Sequence, residues 1–206
     1  MPTSLPRLIV ITDWRIPRPA LLQRIQAALS LGPRVALQHR HPEAPIRLVL
    51  EEARALADLC REFRNPLFIN GRLDVALLVD AHLHLPSRGL VPSDVRPHLP
   101  KDRWISISIH NLEEARAAQG ADIALISPVF PAGSKVTDDR PPLGLDGFKK
   151  LAVAVDCAPF ALGGIGPKTA ASLRGIAVGY AAISAVLASP DPRRAAAEIL
   201  ASASPA

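Results

Sequence analysis

The sequence is poor in aromatic residues and in cysteine, and both shortages exclude kinds of protein. Aromatic side chains make up 4% of the 206 residues, too few for the stacking platforms that bind single-stranded nucleic acid. Cys60 and Cys157 are far apart and lack metal-ligand spacing, which predicts reduced thiols, with Cys60 in the core. The net charge is +5, but the basic residues are scattered along the chain. We therefore expect no nucleic-acid partner.

Long apolar runs are missing as well. No segment approaches the length that spans a membrane, and Met1 to Arg7 lacks the apolar stretch of a signal peptide. We therefore expect a cytoplasmic protein with no membrane partner. With 49% apolar residues, the chain can bury one sizeable core, which predicts a single domain over residues 1–206. The sequence leaves a homo-oligomer open.

Short apolar segments alternate with helical patterns along the whole chain. The clearest unit begins with the alternating segment 104–109, a strand pattern. Asn111 then predicts a helix cap, with Glu114 reaching back in a capping box, and Gly120 ends the helix. The predicted strands are 8–12, 35–37, 67–69, 82–85, 104–109, 123–126, 160–162 and 179–183. Eight such units predict a closed, parallel (β/α)8 TIM barrel, with a doubly wound open sheet as the alternative.

The segments between the predicted strands carry helix and loop signals. A long amphipathic helix is predicted from Pro45, with apolar positions three or four residues apart. These positions are Ile46, Val49, Ala53, Leu56, Cys60 and Phe63. Residues 131–142 are polar and have no apolar period, which predicts a mobile functional lid.

Glycines after the seventh predicted strand indicate a phosphate site. Barrels often bind phosphate with backbone N–H groups from the loops after strands seven and eight. Gly163 and Gly164 would allow close approach of the backbone, and Ile183 and Ser184 supply the matching segment after strand eight. A simple tight turn is the alternative interpretation of the two glycines.

Histidines supply the other candidate chemistry. His110 directly follows the fifth strand, where an imidazole can both take and give a proton near neutral pH. The pairs His39/His41 and His82/His84 each place two imidazoles on one side of a strand, as a zinc site would require. Neither strand end offers an obvious carboxylate to complete such a site. A metal-dependent hydrolase therefore stays a minor alternative.

At these residues the chain resembles the thiamine phosphate synthase superfamily, and within it the TenI-type thiazole tautomerases. The resemblance runs from Leu8 to about Leu200. Its motifs are the opening strand 9–13, the Q-x-R segment 38–40, the S-x-H block 108–115, segment 127–130, lid residues 134–135, segment 142–145, Gly163-Gly164-Ile165 and segment 182–185.

Three departures from the synthases favour the tautomerase subgroup. The resemblance places Gly71 and Gly89 where synthases carry magnesium-binding aspartates. It places Pro42 where they carry a lysine. Magnesium needs carboxylate oxygens and pyrophosphate needs cations. The tautomerase interpretation implies no cofactor and no metal, whereas the synthase alternative would need Mg²⁺.

The resemblance implies an isomerase of thiamine biosynthesis that moves one proton to aromatise a carboxylated thiazole phosphate. His110 would be the catalytic residue. The implied phosphate-binding residues are Gly163, Gly164, Ile183 and Ser184, and the candidate substrate-binding residues are Gln38, Arg40, Asn70, Ser108, Ser134 and Lys135. Of these, Arg40 is chosen for the substrate carboxylate and Lys135 as a lid residue on their charge alone. Thiamine phosphate synthase, a transferase, is the alternative enzyme, and a non-catalytic barrel that binds thiazole or thiamine phosphate is another. The roles of His39, His41, His82 and His84 stay open.

Overall fold

The computed structural model describes residues 4–131 and 140–203 and confirms the predicted TIM barrel. Eight parallel strands pair in chain order, and the last strand closes the barrel on the first. The strands are β1 (Leu8–Ile11), β2 (Val35–His39), β3 (Leu67–Asn70), β4 (His82–Leu85), β5 (Ile105–Ile109), β6 (Ile123–Ile126), β7 (Ala158–Ala161) and β8 (Gly179–Ala182). Their apolar residues are buried because the strands have a packed interior on one face and helices on the other.

Helices cover the outside of the barrel. They are α1 (Arg18–Leu29), α2 (Ile46–Phe63), α3 (Leu73–Leu78), α4 (Pro92–Val95), α5 (Leu112–Ala117), α6 (Gly144–Val153), α7 (Pro167–Ala171), α8 (Ser184–Leu187) and α9 (Pro192–Leu200). In the part of the chain that the structure describes, no helix is both long enough and apolar enough to span a bilayer.

Several predicted boundaries differ from the structure. The predicted helix over 92–99 is instead the short α4 followed by a 3-10 turn, Arg96–His98. The apolar face of α2 is present, but Ile46 is 44% exposed at its first turn, and Glu52 is buried on that face. Most of the predicted lid, residues 132–139, lies outside the described residues.

Alternate strand residues divide the core into two parts. One cluster fills the barrel, with Phe68 and Phe160 as its largest members, and the other lies between strands and helices. The ring of Phe160 packs directly against Gly179, where a Cβ would overlap it. The two-residue period therefore decides which side chains point into the barrel and which point towards the helices.

Candidate active site

The carboxyl ends of strands β2, β3 and β5 bring the predicted substrate residues to one mouth of the barrel. Gln38 is buried inside it, and among the described residues its Nε2 atom has no hydrogen-bond partner. Arg40 is exposed at the rim, where its charge adds to burial in lowering the pKa of His84. Asn70 and Ser108 are half-buried at the ends of β3 and β5. The mouth therefore offers an unsatisfied amide and a nearby guanidinium.

Glu114 holds the predicted base, His110. The Glu114 Oε2 atom lies 2.7 Å from His110 Nδ1 and 2.7 Å from the His110 backbone nitrogen. Asn111 caps α5 as predicted, by accepting the Glu114 N–H at 2.9 Å. The other half of the predicted capping box is wrong, since the Glu114 carboxylate binds His110 rather than the Asn111 N–H. The sequence signal for this contact was the four-residue spacing of an acid after a histidine.

His84 lies inside the barrel beneath the mouth. Its ring nitrogens lie 2.8 Å from Ser106 Oγ and 3.0 Å from Ser108 Oγ. Burial, followed by the charge of Arg40, lowers its pKa to about 3, so the ring is neutral at pH 7. This contact fixes the hydroxyl of Ser108, which the sequence analysis assigned to the substrate.

His82 lies one pleat deeper than His84 in the same strand. Its Nδ1 accepts the backbone N–H of Trp104 at 2.9 Å, and its ring stacks on the indole with centroids 4.4 Å apart. Burial lowers its pKa to about 4. These contacts make His82 a neutral core residue. The interpretation of His82 and His84 as paired metal ligands is therefore wrong, since each ring has its own hydrogen-bond partners inside the barrel.

A pocket of about 830 Å³ opens between the ends of β6, β7 and β8. Its lining includes all four residues predicted to bind phosphate. They are Gly163, Gly164, Ile183 and Ser184. Lys168, Arg140 and Glu198 are the charged residues of its lining. The side chains at the ends of β2, β3 and β5 do not line this pocket, and predicted Ser134 and Lys135 lie outside the described residues.

The two glycines also have a structural role. Gly163 and Gly164 have φ values of +93° and +63°. A Cβ on Gly163 would lie 2.8 Å from the Cα of Pro128, and one on Gly164 would lie 2.6 Å from the carbonyl oxygen of Pro131. Both the turn and the close approach therefore require glycine. The tight-turn interpretation is correct, and it coexists with the pocket.

A carboxylate does stand beside the histidines of β2, contrary to the sequence analysis. Glu52 of α2 is 3% exposed, with its Oε2 2.9 Å from His39 Nε2 and 3.0 Å from His41 Nδ1. Burial lowers the pKa of His39 despite this partner. Even with Glu52 present, no group of three His, Cys, Asp or Glu residues in ranges 4–131 and 140–203 could hold a metal ion.

The residues at the implied magnesium positions do not fit that ion. Gly71 and Gly89 offer no side-chain oxygen. The neighbouring carboxylates form ion pairs with arginines. Arg15 Nη2 lies 2.7 Å from Asp13 Oδ2, and Arg72 Nη2 lies 2.6 Å from Asp74 Oδ2. Hydrogen bonds from these guanidinium groups lower the pKa of both carboxyls.

The cysteines are free thiols, as the sequence predicts. Cys60 lies on the buried face of α2, where burial raises the pKa of its thiol to about 12. Burial is also the main cause that raises the pKa of Cys157 to about 11. Neither thiol is ionised at neutral pH, which argues against a role as nucleophile.

Comparison with known proteins identifies relatives along nearly the whole chain. A family model described as thiamine monophosphate synthase matches residues 8–186. A thiamine-phosphate synthase of Chloroflexus aurantiacus is 35% identical over 196 residues, covering 94% of this chain and 90% of that protein. A putative thiamine-phosphate synthase of Geobacter sulfurreducens is 38% identical over 185 residues, covering 88% and 86%.

A solved structure gives the same result in three dimensions. The thiamine phosphate pyrophosphorylase from Pyrococcus furiosus superposes with a TM-score of 0.80 at 33% identity, over 95% of each chain. The resemblance stated from the motifs is thereby confirmed at the level of the superfamily.

Proposed function

The chain belongs to the thiamine monophosphate synthase family, and from this premise we propose that it is an enzyme of thiamine biosynthesis that binds a thiazole phosphate at its barrel mouth. The observation that carries the proposal is the pocket between the β7 and β8 ends, lined by Gly163, Gly164 and Ser184. Backbone N–H groups in such loops are suited to phosphate oxygens. Gln38, Arg40, Asn70 and Ser108 stand at the ends of β2, β3 and β5, elsewhere around the same mouth.

The names of the relatives favour condensation over the tautomerisation that the motifs suggested. Thiamine-phosphate synthase is the name of relatives that are 32–38% identical to this chain. We therefore take synthesis of thiamine phosphate as the first candidate reaction. It joins a pyrimidine pyrophosphate to the thiazole phosphate and releases pyrophosphate. Arg40 at the end of β2 is suited to the charge of that group.

Tautomerisation is the second candidate, and the residues at the implied magnesium site favour it. Positions 42, 71 and 89 together lack a cation and two carboxylates, and Asp13 and Asp74 are bound to arginines. Magnesium binds proteins through one or two carboxylates together with substrate phosphate oxygens. A proton shift on the thiazole ring has no such requirement.

His110 and Glu114 have the geometry for that proton shift. The Nδ1–H group donates to the carboxylate, so the proton of the neutral imidazole is on Nδ1 and Nε2 is the basic atom. Nε2 would take a proton from one ring carbon and return it at another. Arg40 would then hold the substrate carboxylate, with Gln38 beside it offering its amide.

Two assays on the same preparation separate the candidates. In the first, pyrimidine pyrophosphate and thiazole phosphate are supplied with magnesium, and release of pyrophosphate is measured. In the second, the carboxylated thiazole tautomer is supplied with excess chelator, and its aromatisation is followed by absorbance. Activity in the first alone establishes the synthase, and activity in the second alone establishes the tautomerase. Binding of thiazole phosphate without either turnover would refute the enzymatic proposal.

A further inference from the structure

Two histidines and a glutamate form a buried cluster on the outer side of β2. Glu52 accepts from both imidazoles, and Trp14 covers them from the β1 side. Its ring lies edge-on to His39, with centroids 5.5 Å apart, and stacks on His41 at 5.2 Å with an interplanar angle of 10°. The His39 and His41 side chains are 2% and 24% exposed. The cluster ties β2 to α2 and to the loop after β1.

Arg40 lies between these two histidines in the sequence. Because side chains alternate along an extended segment, His39 and His41 point towards the helices while Arg40 points towards the barrel mouth. The effect of the Arg40 charge on the pKa of buried His84 agrees with this placement. Thr12 Oγ1 also holds the Arg40 main chain, at 2.9 Å from its nitrogen and 3.2 Å from its oxygen.

The Arg40 side chain itself makes no hydrogen bond or ion pair with residues 4–131 or 140–203, whereas Thr12 Oγ1 binds its main chain and Glu52 binds the side chains on either side of it. A guanidinium without a partner among those residues, on an anchored backbone, is pre-organised to receive an anion. The anchoring extends beyond the needs of strand pairing, because β2 ends at His39 whereas Arg40 and His41 follow it and are also held.

We propose that His39, Glu52 and His41 form a clamp that positions Arg40 for the anionic group of the substrate. The proposal rests on the proposed function, since it assigns Arg40 to a ligand at the barrel mouth. His39, His41 and Glu52 are positioning residues: they lie behind the strand and act through Arg40.

The clamp is held by hydrogen bonds to a buried carboxylate. A buried charge must be paired, and Glu52 has an N–H donor from each imidazole at about 3 Å. Losing one donor leaves the other, so His41, the more exposed of the two, is the site for a substitution that preserves folding. In His41→Asn the amide nitrogen takes the place of Nδ1, whereas His41→Leu removes the donor.

A double-mutant cycle tests the clamp. Calorimetry on the wild type and Arg40→Gln, with carboxylated thiazole phosphate and with pyrimidine pyrophosphate, first identifies the ligand that Arg40 holds. His41→Leu should lower the affinity for that same ligand about tenfold, because displacing a binding group by a fraction of an ångström has effects of this order. His41→Asn should restore most of the affinity. The double variant Arg40→Gln/His41→Leu should bind no more weakly than Arg40→Gln alone.

The controls separate positioning from general damage. Glu52→Gln is compared with Glu51→Gln, since Glu51 is the exposed neighbour that pairs with Arg18. Urea unfolding of each variant establishes that it is folded at the assay temperature. A ligand that Arg40 does not hold should bind all the folded variants equally.

Each outcome decides one question. Additive losses in the double variant, or no loss in His41→Leu, overturn the clamp while leaving the proposed function standing. An Arg40→Gln variant that binds both ligands like the wild type overturns the clamp as well. If the wild type binds neither ligand, the proposed function itself fails, and the clamp fails with it.

Discussion

Glu114 holds His110 at two points, its main-chain nitrogen and its ring Nδ1, each 2.7 Å from the same carboxylate oxygen. The Glu114 nitrogen in turn donates to Asn111, the N-cap of α5. Helix start and imidazole orientation are therefore linked through one residue. A base fixed in this way has its tautomer and direction set before a substrate arrives.

Replacing His110 with alanine should greatly slow isomerisation of the thiazole tautomer. The expected fall in kcat is about 10²- to 10⁴-fold, the usual contribution of a positioned acid–base group. Stopped-flow absorbance with the tautomer measures it, and circular dichroism checks the fold. Near-normal turnover in the His110→Ala variant would rule out the His110 imidazole as the proton shuttle.

Replacing Glu114 with glutamine should lower kcat for isomerisation by about tenfold and leave KM nearly unchanged, a smaller loss than that of the base itself. The reason is that Glu114 orients His110 and does not touch the substrate. Glu113→Gln is the matched control, because its side chain is exposed on the same turn. Equal effects of the two variants would mean that the contact has no catalytic role.

Stability should fall as the pH drops from about 6.5 towards 4. Folded His82 and His84 have pKa values of about 4 and 3, against 6.5 for an unperturbed imidazole. In this window the unfolded state binds more protons, so the free energy of unfolding decreases with falling pH, by up to about 1.4 kcal/mol per pH unit for each histidine.

Urea unfolding between pH 4.5 and 7 measures this slope. His82→Asn should flatten it, because an amide oxygen can accept the backbone N–H of Trp104 without titrating. His98→Asn, at an exposed histidine, should leave the slope unchanged. A His82→Asn slope equal to that of the wild type would contradict the assignment of a depressed pKa to His82.

Alanine at Gly163 should destabilise the protein by more than alanine at Gly32. Both glycines have φ near +90°, so each alanine incurs a left-handed penalty of about 1–2 kcal/mol. Only at Gly163 would the Cβ also meet Pro128, whereas at Gly32 it would meet nothing within 4 Å. Equal free energies of unfolding for the two variants would refute the close approach.

The sequence predicted the barrel because each buried strand is a short apolar run and each run is followed by a helical pattern. It placed His110 correctly at a strand end for the same reason. Glu52 was missed because contacts between a strand and a helix 13 residues later follow no fixed spacing. A signal was present, since Glu52 lies three residues after Val49 on the apolar face of α2.

The choice of reaction was harder to predict from the sequence than the fold. The fold follows from a pattern repeated eight times, whereas the choice between condensation and proton shift depends on single positions such as 71 and 89. The names of relatives favour condensation, whereas the chemistry of those positions favours the proton shift. The two assays are therefore more informative than further comparison of sequences.

The contact of Gly163 and Gly164 with Pro128 and Pro131 has a consequence for anyone who redesigns substrate choice. The loops after β6 and β7 form a single wall, joined also by the hydrogen bond from the Phe130 nitrogen to the Gly163 oxygen at 3.1 Å. A side chain added at Gly163 or Gly164 alone would collide with the loop after β6. Variants that accept a bulkier ligand must be sought by changing both loops in concert.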